Sequence, residues 1–464
     1  VSTVERGARL RHEGETQAAA DGNEDLSRPG EVVVDEESRA IEAVELAIVI
    51  PALNEAENLR ILLPELSRTL DRLDVSYKIL VVDRNPIEAT RDVARENHAV
   101  LLNQFGTGYG MALRTGFAHA QSEYVLTMDA DLSHSPEFVE AVFKRRRDAD
   151  LIIASRYIEG GDYKMPFVRA VLSKVLNKVF ARGLALELKD MSSGFRLYRS
   201  SVLRSCDINN HDFAILQEIL VQAHCEGFRI LEVPFSYHPR RSGRSNAQII
   251  AFGISYLRTF LELYRRRNSI LSADYDHRAH DSVIPPQRYW QRQRYKHVTE
   301  LIAGEGPVLD VGCGSSTIIG ALPDASIAMD VLFRKLRYNR IFRAARVQAS
   351  GFELPIKNEA FSCVLCSQVI EHVPKEGGFL DELVRVLKPG GALVLGTPDY
   401  AKWQWRFIEA VYERVMPGAY ADEHISPYTK AELVEFFERL GFSVEDVRYI
   451  LQGELILKMR KATR

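Results

Sequence analysis

Met128-Asp129-Ala130-Asp131-Leu132-Ser133-His134 follows the apolar, strand-like run 124–127 and precedes Ser135-Pro136-Glu137, which can open a helix. A strand feeding a helix through a turn is what any α/β sheet protein can show. Two carboxylates one residue apart at a strand end can both reach one hard divalent cation. Such a cation suits a diphosphate, because it neutralises charge on a leaving group. The same turn also fits Asp as a plain helix cap, a reading open to any α/β chain. The surrounding sequence bears on that choice.

Working outward, short β-rich runs alternate with helical stretches. Residues 46–51, 78–83, 100–103, 124–128 and 150–154 read as buried strands, with an amphipathic helix over 58–73. This alternation predicts a parallel α/β sheet. Residues 230–237 read as a late strand and 246–267 as a long helix. The stretch 268–286 lacks apolar periodicity and carries a Pro-Pro pair, so it reads as a linker. After a helix over 287–302, strands at 307–310, 326–330, 363–366 and 392–396 begin a second, different α/β alternation. The expected organisation is a disordered polar tail (1–44), a first domain (45–267), the linker (268–286) and a second domain (287–464). A chain of 464 residues has room for two such cores.

A net charge of −3 supplies no global field for nucleic acid, and none is expected as a partner. The scattered cysteines Cys206, Cys225, Cys313, Cys363 and Cys366 fit a reducing compartment rather than a disulfide framework. Cys363 and Cys366 have redox or zinc spacing. With no second Cys/His pair, they read as small core residues of a buried strand. No apolar run is long enough to span a bilayer, and residues 1–39 lack the apolar core of a signal peptide. The expected location is cytoplasmic, with any membrane contact peripheral and at the inner face of the cell membrane.

In the first half, four segments fall at strand ends, where open sheets bind ligands. They are Pro51-Ala-Leu-Asn54-Glu55, Asp83, the glycine loop Gly106-Thr-Gly108-Tyr-Gly110, and Asp129/Asp131. Their succession resembles the family 2 glycosyltransferases of GT-A fold, nearest to dolichyl- or polyprenyl-phosphate mannose synthases. Ser155-Arg156-Tyr157, Ser193-Gly-Phe-Arg196, Gln217-Glu218 and Arg240-Arg-Ser-Gly243-Arg-Ser245 extend the likeness over about 46–267. The resemblance implies that Pro51, Asn54, Glu55 and Asp83 hold the base and ribose of a GDP- or UDP-linked sugar. It implies Mg²⁺ or Mn²⁺ on Asp129 and Asp131. Arg156, Arg196, Arg240 and Ser245 would serve the donor or acceptor phosphates, with Asp131, Arg156 and Arg240 in the catalytic set. A polyprenyl phosphate or lipid-linked glycan acceptor suits this chemistry, because a phosphate monoester is already anionic and needs cations rather than a strong base. One departure stands out: where the family has a second Asp and small polar residues, this chain has Arg84-Asn85-Pro86. The amphipathic stretches 164–186 and 246–267 fit either an anionic membrane surface or packing on their own domain.

In the second half, Pro307-Val-Leu-Asp310-Val-Gly312-Cys-Gly314 is a strand ending in a glycine loop, and Asp330 closes the next strand. An acid there can grip two ribose hydroxyls. With Leu354-Pro355, Cys366-Ser-Gln-Val-Ile-Glu371-His372-Val373 and Leu387-Lys-Pro-Gly-Gly391, these residues resemble the class I, Rossmann-like S-adenosylmethionine-dependent methyltransferases over about 287–458. The resemblance implies Asp310, Gly312 and Gly314 at the methionine portion, Asp330 at the ribose, and Ser350 near the adenine. His372 and His424 are candidates to take the acceptor's proton. The basic residues Arg334, Lys335, Arg337, Arg340, Arg343 and Arg346 read as a solvated helix face.

The expectation is an α/β, two-enzyme chain. The first domain would transfer a sugar with inversion to a lipid-linked acceptor, and the second would methylate a glycan or lipid intermediate of the same pathway. Two alternatives stand beside it. One is a pair of enzymes modifying a soluble saccharide or cell-surface polysaccharide. The other is a catalytically silent binding module in one domain, with Arg84 pointing to the first.

Overall fold

The computed structural model describes residues 43–163, 167–237, 249–415 and 424–463. Residues 1–42 of the expected tail, Arg240 and Ser245 lie outside these described residues, while Val44, placed in that tail by the sequence reading, opens the first strand.

The first sheet has seven strands in the order β3-β2-β1-β4-β7-β5-β8. They are β1 (Val44–Ala52), β2 (Tyr77–Asp83), β3 (Val100–Asn103), β4 (Ser122–Thr127), β5 (Leu151–Ser155), β7 (Arg196–Arg199) and β8 (Ile230–Pro234); the short strands β6 (Asp162–Tyr163) and β9 (Ser236–Tyr237) pair apart. β1 runs parallel to both β2 and β4, so Ile48 faces Ile79 on one side and Leu126 on the other. Its two faces are both covered, which explains the unbroken apolar run. Leu46, Ile48 and Ile50 pack with Leu59, Leu62 and Leu66 of helix Ala56–Asp71. Ala47 and Val49 pack with Ala112 and Leu113 of helix Tyr109–His119. β7 runs antiparallel to β4 and β5, so the sheet is mixed rather than wholly parallel.

The second sheet, also seven-stranded, has the order β12-β11-β10-β13-β14-β16-β15. Its strands are β10 (Val308–Val311), β11 (Ile327–Asp330), β12 (Ala345–Gln348), β13 (Phe361–Ser367), β14 (Leu387–Pro398), β15 (Phe442–Ile450) and β16 (Glu454–Lys461). β10 to β14 are parallel, while β16 runs antiparallel to both β14 and β15. Cys363 and Cys366 are buried free thiols on β13, as the apolar-strand reading expects.

The segment 268–286 is not a slack tether. Arg267, almost fully buried, pairs with Asp274 and donates to the carbonyls of Leu184 and Ala185 at 2.9 and 3.2 Å. Helix Tyr275–His280 follows. The basic run after β11 is likewise not a purely solvated face. Arg340 meets Asp150 at 2.7 Å, Arg334 meets Glu226 at 3.2 Å, and the Arg337 guanidinium lies 3.9 Å from the centre of the Phe228 ring. These arginines join the second sheet's periphery to the first domain.

Candidate functional site

The carboxyl ends of β1, β2 and β4 lie side by side, and each delivers candidate site residues. Pro51 pairs in register with Val82, and Asn54, just beyond β1, takes a left-handed backbone with φ of 58°. Glu55 accepts from the Asn58 side-chain amide. Asp83 ends β2 almost fully buried; burial raises its carboxyl, and its Oδ1 accepts from the Asn85 backbone at 3.1 Å. Asp131 is buried, and its Oδ1 accepts from the Ser133 backbone at 3.1 Å, which fixes the turn after β4.

Asp129 is held from two sides. Its backbone N–H donates to His134 Nδ1 at 2.9 Å, so the His134 proton sits on Nε2, 3.8 Å from Asp129 Oδ2. The Tyr109 hydroxyl lies 3.4 Å from Asp129 Oδ1. Burial and the Asp129 charge push that phenol well above its ordinary value, so it stays a neutral donor. Tyr109 stacks on Phe213 with ring centres 4.3 Å apart. Gly194 completes the wall: a Cβ there would sit 2.6 Å from the Tyr109 hydroxyl and 3.5 Å from Asp129 Oδ1. His134, Tyr109 and Gly194 occur in the quoted motifs, but nothing in the sequence says that they converge on Asp129.

Two arginines expected at phosphates are placed otherwise. Arg196 is fully buried and donates to the carbonyls of Ser193, Leu216 and Met191 at 2.7, 2.6 and 2.7 Å. It is a backbone clamp, which corrects the expectation of a phosphate contact. Arg156 grips the fully buried Asp190 at 2.7 and 2.8 Å and Ser192 Oγ at 2.8 Å. That pairing commits two edges of its guanidinium to the protein rather than to a substrate.

In the second sheet, Asp310 on β10 and Asp330 at the end of β11 are buried neighbours around the glycine loop. Burial, and then the Asp330 charge, push the Asp310 carboxyl up to about 8. Burial also raises Asp330, whose Oδ2 accepts from the Gly314 backbone at 2.8 Å. Gly312 and Gly314 both have positive φ, 72° and 55°, and a Cβ on Gly312 would lie 2.3 Å from Val369 Cγ2. The loop is braced from outside: Asp276 Oδ2 accepts from both the backbone and Oγ of Ser315 at 3.0 Å and pairs with buried Lys335 at 2.9 Å. Ser350 lies just past β12, where the Ala349 backbone donates to the Asp330 carbonyl at 3.2 Å.

His372 and His424 do come together, with ring centres 4.9 Å apart. His424 Nδ1 is 2.9 Å from the Tyr400 hydroxyl and 3.3 Å from Glu409 Oε1. Burial lowers His424, with Glu409 opposing. Beside them Glu371 is fully buried, and burial pushes it up to about 8.

Comparison with known proteins gives the class. Residues 47–206 match Glycosyl transferase family 2, and residues 309–395 match the family described as Methyltransferase domain. The first half of the chain thus resembles family 2 glycosyltransferases and the second half a methyltransferase family. Among particular relatives, it is 32% identical to the dolichol-phosphate mannosyltransferase of Pyrococcus furiosus over 44% of this chain and 59% of that one. It is 26% identical to the low-salt glycan biosynthesis hexosyltransferase Agl6 of Haloferax volcanii, over 47% of this chain and 53% of that one. The chain therefore spans little more than half the length of these curated relatives. Among solved structures, glucosyl-3-phosphoglycerate synthase of Mycobacterium tuberculosis, in complex with Mn²⁺, UDP and glucosyl-3-phosphoglycerate, aligns at TM-score 0.40 and 17% identity, covering 50% of this chain and 82% of that one. A methyltransferase structure from Bacillus halodurans aligns at TM-score 0.31 and 20% identity, covering 37% of this chain and all of that one.

Proposed function

We propose that the first domain transfers a sugar from a GDP- or UDP-linked donor to a polyprenyl phosphate or related lipid-linked acceptor, and that the second methylates an intermediate of the same pathway using S-adenosylmethionine. The carrying observation is the convergence of Asn54, Glu55, Asp83, Asp129 and Asp131 at three adjacent strand ends. Asp129 and Asp131 would hold Mg²⁺ or Mn²⁺, whose chemistry is charge neutralisation on the departing diphosphate. The donor set fits a hard cation: all-oxygen ligands, with Asp129 oriented by Tyr109 and His134. The relatives' names, a dolichol-phosphate mannosyltransferase and a glycan hexosyltransferase, support the acceptor class.

Peripheral membrane contact has its own support. Val175 and Val179 on helix Phe167–Gly183, and Leu257, Leu261 and Tyr264 on helix Ile249–Arg267, are exposed apolar side chains at helical spacing. The two helices also pack together through Phe180 and Phe260, with ring centres 4.9 Å apart. Among the described residues no helix is long and apolar enough to cross a membrane.

For the second domain, Asp310, Asp330 and Asp276 gather acidity near the glycine loop, with Lys335 opposing. Gly312 and Gly314 let the backbone approach a cofactor there, and Asp330 stands where an acid can take ribose hydroxyls, which supports S-adenosylmethionine. The test incubates the full chain with labelled GDP- and UDP-sugars, polyprenyl phosphate and Mg²⁺ or Mn²⁺. Label in the organic phase is expected; its absence across all donors sinks the lipid-phosphate acceptor.

A further inference from the structure

We propose a second metal site, in the methyltransferase domain, formed by Glu371, His372 and His424 and suited to a first-row transition ion such as Mn²⁺, Co²⁺ or Zn²⁺. One ligand atom from each of these residues lies within 4.8 Å of the others. Ligands of a tetrahedral ion with bonds of about 2.0 Å sit about 3.3 Å apart, so closure asks for side-chain shifts of about 1.5 Å or less. The set is two imidazoles and a carboxylate, which favours these ions over Mg²⁺ or Ca²⁺.

A second observation points into the same place. Glu371 is fully buried; its Oε2 accepts from the Thr397 hydroxyl at 3.2 Å, while its Oε1 has no hydrogen-bond partner among the described residues. A buried carboxylate oxygen left that way is costly, and a cation beside it removes the cost. His424 is already oriented as a ligand. Its Nδ1 faces Glu409 and Tyr400, which leaves Nε2 for an ion, the arrangement by which carboxylates commonly fix metal-binding histidines. The two ligand segments are tied together, since the backbones of Ile425 and Ser426 donate to the Glu371 carbonyl at 2.9 and 3.1 Å.

The position gives the site a task. Glu371 and His372 follow β13, Thr397 ends β14, and Val369 presses on Gly312 of the glycine loop. The site therefore stands beside the glycine loop. Three protein ligands leave coordination positions open. An ion there would bind two adjacent oxygens of the methyl acceptor, such as a vicinal diol of a sugar, and lower the pKa of one hydroxyl so that it gives its proton to solvent water. That oxygen then takes the methyl as the S–CH3 bond of the sulfonium breaks to leave a neutral thioether, and His372 and His424 serve as ligands rather than as the base. This role rests on the methyltransferase reading; the binding of metal does not.

The test loads the full chain with Co²⁺ and records its visible absorption. The wild type and a D129N/D131N variant should both show the bands of imidazole-ligated cobalt. His372→Ala and His424→Ala should lose them together with one equivalent of Co²⁺ per chain, and Glu371→Gln, which keeps the side-chain volume, should weaken Co²⁺ binding at least tenfold. Calorimetric binding of S-adenosylmethionine to the same variants reports that the domain is folded; should one of them fail to fold, the other two decide. Absence of the bands in the wild type, or their survival in the histidine variants, overturns the site. Failure of the wild type to bind S-adenosylmethionine would sink the methyltransferase reading and leave the cobalt result standing.

Discussion

Arg156 and Asp190 form a two-point ion pair, Nε to Oδ2 at 2.7 Å and Nη2 to Oδ1 at 2.8 Å, with the carboxylate fully buried. Burial alone would raise Asp190, but the Arg156 charge and hydrogen bonds outweigh it and hold the carboxyl below its ordinary range. Its contribution is thus in force above about pH 4 and is lost as pH falls through the depressed value. Removing one partner leaves the other's charge buried or half-buried without compensation. Asp190→Asn should cost about 3–5 kcal/mol at neutral pH, read from denaturant melts. A loss below about 1 kcal/mol would mean that the pair is solvated.

Asp129 and Asp131 should matter through the metal rather than through folding. Either changed to Asn should lower sugar transfer at least about a hundredfold, because several kcal/mol of charge neutralisation are lost. Mn²⁺ affinity should fall in parallel while the melting temperature stays nearly unchanged. Full activity in D129N/D131N would remove metal dependence from the first domain.

Gly194 should not accept even Ala. The added Cβ would meet the Tyr109 hydroxyl at 2.6 Å, so Tyr109 must leave Asp129 or the loop must move. Overpacking of this kind costs about 1–3 kcal/mol. A Gly194→Ala variant should also bind Mn²⁺ more weakly, whereas Tyr109→Phe, which removes only the hydroxyl, should spare stability and weaken the metal less.

What the sequence revealed and what it hid follow one rule. β1, β2, β4 and β10 are covered on both faces, so they appear as unbroken apolar runs, and the acids that end them stand out. β7 is Arg196-Leu-Tyr-Arg199, too short and too charged to register as a strand, and its insertion makes the sheet mixed. β12 and β15 lie at one sheet's two edges, where partly exposed side chains blur the pattern. Side-chain partners are hidden more deeply. Arg196 and Arg156 look alike in sequence, yet one clamps three carbonyls and the other an aspartate. The stretch 268–286 reads as a linker because its apolar content is low, and polar pairs such as Arg267 with Asp274 hold it in place instead.

Asp310 should make the second domain lose stability toward alkaline pH. Its folded value is about 8, against about 4 unfolded, so between these pH values the native state keeps a proton that the unfolded chain has released. Stability then falls as pH rises through the window, by up to about 1.4 kcal/mol per unit, and the full penalty is present above it. Asp310→Asn cannot ionise. Its melting temperature should drop less than that of the wild type between about pH 6 and about pH 9. Parallel curves for the two proteins would mean that Asp310 is ionised throughout.

Asp276 comes from the segment that looked like a linker, yet its carboxylate reaches Ser315 of the glycine loop and the buried Lys335 ammonium. Asp276→Ala would release the Ser315 backbone and take from buried Lys335 its salt-bridge partner, leaving the loop free to drift from Asp330. Each hydrogen bond to a charged group is worth about 1.5–3 kcal/mol, and misplacing a binding loop loses affinity through preorganisation. S-adenosylmethionine affinity, measured by calorimetry on the full chain, should fall about tenfold or more. Asp276→Asn keeps an oxygen for Ser315 and loses the charge facing Lys335, so it should fall between the two. If both variants bind as tightly as the wild type, the glycine loop holds its own shape and the segment before it serves only to join the domains.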